Sequence, residues 1–201
     1  MLCYKTILTE LIYMDLRQRL KKETKHLHDK IEQTLLLKKI SQQEITLSEY
    51  QLLIQKFYAF ITPCETLINL LTCKLIIKNR KKTFWLEQDL FALKISNNNN
   101  SKIPIYPDLP PLFKHEQVLG YLYVMEGATL GAQIITKMLK TQLNITRDQG
   151  GRFFHGYGNK TKLMWDDFCF DLRLINQIDQ QNKIINSAID TFNRLYEWME
   201  R

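Results

Sequence analysis

Apolar residues recur along most of this chain at intervals of three and four, and nowhere do they alternate with the two-residue period of a strand. The first helical segment runs from about Asp15 to Lys38, with Asp15 suited to cap its start. After the polar stretch Ser41 to Glu44, a second helix opens near Thr46 or Ser48 and runs to about Lys74. Its positions Leu52, Leu53, Phe57, Phe60 and Ile61 repeat with helical period, and Tyr50, Phe57, Tyr58 and Phe60 read as core. Pro63 is expected to kink or split this helix, because proline removes a backbone donor. A shorter helix covers about Thr83 to Leu93, with Leu86, Leu90 and Leu93 on one side.

From Ser96 to Pro111 the periodicity stops. Asn97 to Asn100 form an asparagine tract, and Pro104, Pro107, Pro110 and Pro111 follow. Neither flanking half has a complete core pattern, so this is a loop within one domain. A long helix then covers about Lys114 to Gln142, and Gly150 to Gly158 marks a break. Further helices are predicted at about Thr161 to Gln177, Gln180 to Asn186 and Ser187 to Glu200, the last two able to be continuous. No internal repeat is visible. The pattern predicts an all-α fold, with one domain over residues 14–201 preceded by an extension over residues 1–13.

Composition agrees with that pattern. The 201 residues suit one domain with a real core, and only seven glycines and five prolines favour long helices over a turn-rich β fold. The net charge of +7 would suit an acidic partner, nucleic acid or a membrane surface. Yet the cations are scattered among acids, with only short runs such as Lys78-Asn79-Arg80-Lys81-Lys82, and no nucleic-acid motif accompanies them. The excess reads as solubility and steering, and no nucleic-acid partner is expected. Cys3, Cys64, Cys73 and Cys169 form no CxxC pair or zinc-like cluster, and read as reduced, largely buried thiols of a cytoplasmic protein. Residues Met1 to Met14 are apolar but interrupted by Lys5 and Glu10, without a small-residue cleavage site. Neither a signal peptide nor stable membrane insertion is expected, and Met14 is a plausible second start.

Two stretches carry candidate chemistry. Lys21, Lys25, His28 and Glu32 fall at i, i+4, i+7 and i+11, on one helical face. One reading is a solvated, charged face. The other is a metal-binding imidazole at His28, a carboxylate one turn on that fixes its second nitrogen, and a cation at Lys21 that meets an anion. Such a set can hold the iron and a propionate of a haem. In the long helix, Gly127 and Gly131 share a face, and each costs about 1 kcal/mol of helix stability relative to alanine. Either another helix packs closely there, or a flat ligand lies against the bare backbone.

Taken together and in order, these stretches resemble the haem oxygenases, most closely the bacterial, phytochrome-associated branch. Leu20-Lys21 through Thr24 to His28 and Glu32 is similar to the family's proximal helix. Tyr50 through Phe60 to Pro63 and Glu65, then Leu86, Asp89, Leu90 and Leu93, follow it. Leu122-Tyr123-Val124-Met125-Glu126-Gly127 with Leu130-Gly131 and Gln133 resembles the distal helix, the most specific motif of the set. Arg152-Phe153-Phe154, Gly156-Tyr157-Gly158, Trp165 and Phe168 continue the order.

The resemblance implies a haem-oxygenase-like helical fold with haem b, both substrate and cofactor, between proximal and distal helices. His28 would ligate the iron, Glu32 would hold its other nitrogen, and Lys21 would pair with a propionate. His26 competes as ligand but lies on the opposite side of its helix from His28. Thr24 reads as a packing or hydrogen-bonding position. Gly127 and Gly131 would let the distal backbone approach the macrocycle, making them the catalytic positions, with Ala128 beside them. The implied reaction opens haem to biliverdin, carbon monoxide and iron, using O2 and electrons from a ferredoxin or reductase.

Three departures bear on turnover. Ala128 stands where the animal branch carries a water-organising aspartate, although the bacterial branch often has a small residue there. Ala132 replaces a glycine common after Gly131. Asp166 and Cys169 stand near the places of basic propionate anchors, leaving Arg173 as a substitute. A haem-binding or carrier protein of the same fold with weak turnover is therefore the alternative. A di-iron oxidase needs carboxylates and histidines converging from several helices, and the four histidines offer no such set. An interaction protein without a cofactor leaves the glycine pair and the His-bearing helix unexplained.

Overall fold

The computed structural model describes residues 15–70, 79–95 and 103–201, and every regular element among them is helical. In chain order these are α1 (Leu16–Glu32), α2 (Leu35–Ser41), α3 (Leu47–Leu70), α4 (Thr83–Ala92), α5 (His115–Leu143), the short α6 (Arg152–His155), a 3-10 turn (Gly158–Lys160), α7 (Thr161–Arg173) and α8 (Ile178–Glu200). The extension over residues 1–13, the second start at Met14, the end of the second helix near Lys74, the asparagine tract, Cys3 and Cys73 lie outside the described residues.

The predicted first helix is two helices. Asp15 caps α1 through a reciprocal pair with Gln18, at 2.8 and 3.2 Å. The chain then turns at Gln33 and Thr34, where the Thr34 hydroxyl and amide both donate to the Ile31 carbonyl. Thr34 takes an extended conformation that periodicity cannot reveal.

Pro63 does not split α3. Proline leaves the carbonyl four residues back without its helical donor, here that of Ala59. The amide of Tyr106, from the proline-rich connection, donates to that carbonyl at 3.2 Å. Tyr106 is fully buried, stacks on Phe60 with centroids 5.6 Å apart and meets Trp198 at 5.2 Å. The connection between α4 and α5 is thus stitched into the core where it would otherwise be missed.

α8 is the ridge on which the two ligand-bearing helices of the prediction rest. α1 runs beside it in the same direction. Arg19 donates to Gln181 and Asn182 at 3.0 and 2.8 Å, the His28 ring meets Phe192 edge-on at 6.3 Å, and Lys30 lies 3.7 Å over the Tyr196 ring. α5 crosses α8 at Gly120. A Cβ there would lie 2.6 Å from the Ile184 carbonyl oxygen and 2.7 Å from the Ala188 nitrogen, so no side chain fits. Ser187 completes the crossing by donating to the Gln117 carbonyl at 2.8 Å. In length and composition α5 is apolar enough to cross a membrane, yet much of it is buried against its neighbours. Thr161–Arg173 ends well before the predicted Gln177, and the two predicted terminal helices are one.

Asp89 organises the corner where α4 meets α6. Its two carboxylate oxygens accept the amides of Arg152 and Phe153, at 2.7 and 2.8 Å, at the start of α6. Burial nevertheless outweighs these bonds and raises its carboxyl to about 6. An acid whose folded value exceeds its unfolded one favours folding most below the unfolded value and loses that contribution as pH rises through the folded one. Asp89→Asn offers one acceptor to two amides and should cost about 1–3 kcal/mol. Denaturant titrations of both proteins should show wild type losing ground against the variant as pH rises from about 4 to about 6. A difference that is flat across that range would contradict the assignment.

Candidate functional site

The face read from α1 is present as one helical surface. Lys21, His28 and Glu32 are all exposed, whereas Thr24 between them is buried, its hydroxyl donating to the Leu20 carbonyl at 2.7 Å. The His28 side chain is 53% exposed, with its ring edge against Phe192. Its Nδ1 lies 3.7 Å from a Glu32 oxygen, longer than a hydrogen bond but within reach of a small side-chain rotation. Asp29 is a second carboxylate beside this ring, at 3.9 Å, which spacing alone did not single out. Its other oxygen accepts from Lys25 at 2.6 Å, a bond that holds its carboxyl below the usual range. Among the described residues Glu32 has no such competing cation and is the better placed partner.

Arg17 was also missed. It is exposed one turn before Lys21, and its charge reaches Tyr123 on α5 and Cys169 on α7. Arg173, exposed in the last turn of α7, acts on the same thiol. Arg17 and Arg173 thus both lie near Cys169. Cys169 itself is buried, and Asp166 pairs with Lys162 on its own helix.

On α5 the three glycines have different surroundings. Close helix packing falls to Gly120. At Gly127 a Cβ would meet only the Trp165 ring, at 3.8 Å, and at Gly131 it would meet nothing within 4 Å. Ala128 is exposed, as are Leu130 at 43% and Ile134 at 61%, while Ala132 is buried. This is an apolar surface with bare backbone and no helix packed on Gly131 among the described residues. It leaves room for a flat apolar group. Thr24 and Tyr123 lie one turn before His28 and Gly127 respectively.

Behind this surface lies a buried charge network. Glu126 is fully buried and accepts from Arg80 at 2.9 Å, Lys82 at 2.5 Å and the Tyr157 hydroxyl at 2.9 Å. Arg80 also donates to the Met164 carbonyl at 2.9 Å and to Asp167 at 2.7 Å. Burial and the Glu126 charge push the Tyr157 phenol far above its usual value, so it stays a donor. The cation run at residues 78–82 is therefore not simply a solvated patch. Arg80 and Lys82 are buried, and the signal that could have found them is a lone carboxylate inside the apolar run Leu122 to Leu130. Glu65, from α3, likewise caps α4 by accepting the amides of Lys82 and Thr83 at 2.6 and 3.1 Å.

A cavity of about 250 Å3 lined by Gln88, Asp89, Phe91, Arg147, Asp148 and Arg152 contains none of the residues assigned to haem. Both oxygens of its buried carboxylate are already taken by α6.

Residues 14–201 match the model of the family described as heme oxygenase. The chain belongs to the haem oxygenase family. It is thus an enzyme of the haem oxygenase kind, acting on haem. Solved structures share the fold. The heme oxygenase from Leptospira interrogans aligns over 93% of this chain and 99% of its own, at 14% identity and a TM-score of 0.74. The NO- and CO-bound heme oxygenase from Neisseria meningitidis aligns over 92% of each chain, at 19% identity and a TM-score of 0.70. Heme oxygenase-1 from the cyanobacterium Synechocystis, solved in complex with heme, covers 92% of this chain and 91% of its own, at 17% identity and a TM-score of 0.70. No curated protein matches the sequence at a significant level.

Proposed function

We propose that this haem oxygenase takes haem b edge-in between α1 and α5 and opens it to biliverdin, carbon monoxide and iron. Bound haem supplies the iron at which O2 is reduced and is itself the ring that is opened. His28 holds the iron through its free ring nitrogen, and Glu32 takes the proton-bearing nitrogen, which fixes the tautomer and the ring plane. A neutral imidazole suits this reaction because, unlike a thiolate, it does not push electrons strongly toward oxygen–oxygen cleavage. Lys21 meets a propionate, and Arg173 serves as a further cation for the other. Gly127 and Gly131 let the α5 backbone lie against the macrocycle, where a side chain would hold it away. Electrons come from outside, from a ferredoxin or reductase that a basic surface attracts. The reduced cysteines favour the cytoplasm, and the Leu122-to-Gly131 motif favours the bacterial, phytochrome-associated branch.

The observation that carries this reading is Gly131. A glycine inside a long helix lowers its stability and needs a reason, and among the described residues no neighbour uses the space its missing side chain leaves. Ala128 favours a second reading, a haem carrier with weak turnover, because its exposed methyl cannot order water. Adding hemin and then ascorbate or a ferredoxin system to the purified protein separates the two. A Soret band that decays as a red biliverdin band grows supports the oxygenase. A band that persists under reduction in air supports the carrier, and the absence of any Soret shift removes both.

A further inference from the structure

Between Gly127 and Gly131 one face of the helix is open, while Thr129 on the other face is buried beside Gly156. A Cβ at Gly131 meets nothing within 4 Å, one at Gly127 meets only Trp165, and Ala128 and Leu130 are exposed. How far the open face stands from a ligand is then set by what holds the buried face and the two ends. At the near end Glu126 is gripped by Arg80, Lys82 and Tyr157, and its own carbonyl accepts the Thr129 hydroxyl at 2.6 Å. That last bond competes with the helical ladder and is of the kind that bends a helix. At the far end Gln133 donates to the Gly158 carbonyl at 3.3 Å. Tyr157 and Gly158 are adjacent, so one short segment ties the helix on both sides of the bare stretch. Arg80 extends the near tie to α7 through Met164 and Asp167.

Replacing a buried ion pair with well-packed apolar residues is often neutral or stabilising, so stability alone gives little reason for this cluster. What directed, charge-assisted bonds supply is a fixed geometry. We propose that Glu126 is a positioning residue: clamped by Arg80, Lys82 and Tyr157, it sets how closely the Gly127–Gly131 backbone approaches bound haem, and hence the room for a ligand on the distal side of the iron. This rests on the reading that haem occupies that surface.

The test uses ferric haem complexes of wild type, Glu126→Gln and Tyr157→Phe, titrated optically with imidazole as a bulky distal probe. Haem affinity and the thermal midpoint are measured alongside. A loosened turn should raise imidazole affinity at least about threefold in E126Q, and less in Y157F, with haem affinity held within about twofold. A purely structural role would lower the thermal midpoint and leave imidazole affinity where it was in both variants, which overturns the inference. Should E126Q not fold, Y157F decides, because it removes one oxygen from a half-buried ring that still packs on Trp85 at 5.0 Å. Wild type that shows no Soret shift with hemin overturns the site reading and this inference together. Wild type that binds haem through His28, with both variants unchanged, overturns this inference alone.

Discussion

His28→Ala is expected to lower haem turnover at least about 100-fold and to shift the Soret band of whatever haem still binds. The imidazole is the one side chain on the exposed α1 face that combines a metal-binding nitrogen with a carboxylate poised at its other nitrogen, 3.7 Å away. His26, also exposed, lies on the opposite side of the helix, so it cannot stand in without turning α1. Since His28 is only an exposed edge against Phe192, its loss should leave the fold intact. The far-ultraviolet spectrum and melting midpoint should match wild type. An H28A protein with an unchanged haem spectrum would show that another group holds the iron. Glu32→Gln should give a smaller loss, about tenfold, because the orienting bond weakens while the ligand remains.

The second large effect separates two glycines of one helix. Gly120→Ala places a methyl 2.6 Å from the Ile184 carbonyl oxygen and 2.7 Å from the Ala188 nitrogen, which are backbone atoms and cannot rotate aside. α5 and α8 must move apart at their crossing, and the loss should reach at least about 3 kcal/mol, with a matching fall in denaturant midpoint. Gly131→Ala should do the reverse in the haem-free protein. With nothing among the described residues within 4 Å of its new methyl, it gains about 0.5–1 kcal/mol from helix propensity alone. The same methyl should weaken haem binding, since it stands where the macrocycle is proposed to lie. A Gly131→Ala protein that is more stable and binds haem as tightly as wild type would mean that the ligand lies elsewhere.

Several features of the site were open to inspection in the residues alone. The four-residue spacing of His28 and Glu32 determines that they share a face, because helix geometry depends only on near neighbours. The same locality made Leu86 and Leu90 legible as buried, and the helix of 115–143 legible to within a residue at each end. The break at Thr34 was not legible, since a hydroxyl bond to Ile31 and an extended backbone outcompete a periodicity that continues on both sides.

What only the tertiary structure decided involves partners far apart in the chain. Pro63 keeps its helix whole because Tyr106 supplies the missing donor. Arg80 and Lys82 look like surface charge until Glu126, more than forty residues away, buries with them. Gly120, Gly127 and Gly131 share one helix and one residue type, yet the first is closed by α8 and the last is open. The chain by itself determines which side chains share a helical face. Which faces meet, and which stay bare for a ligand, depends on how distant helices cross, and no short-range pattern encodes that.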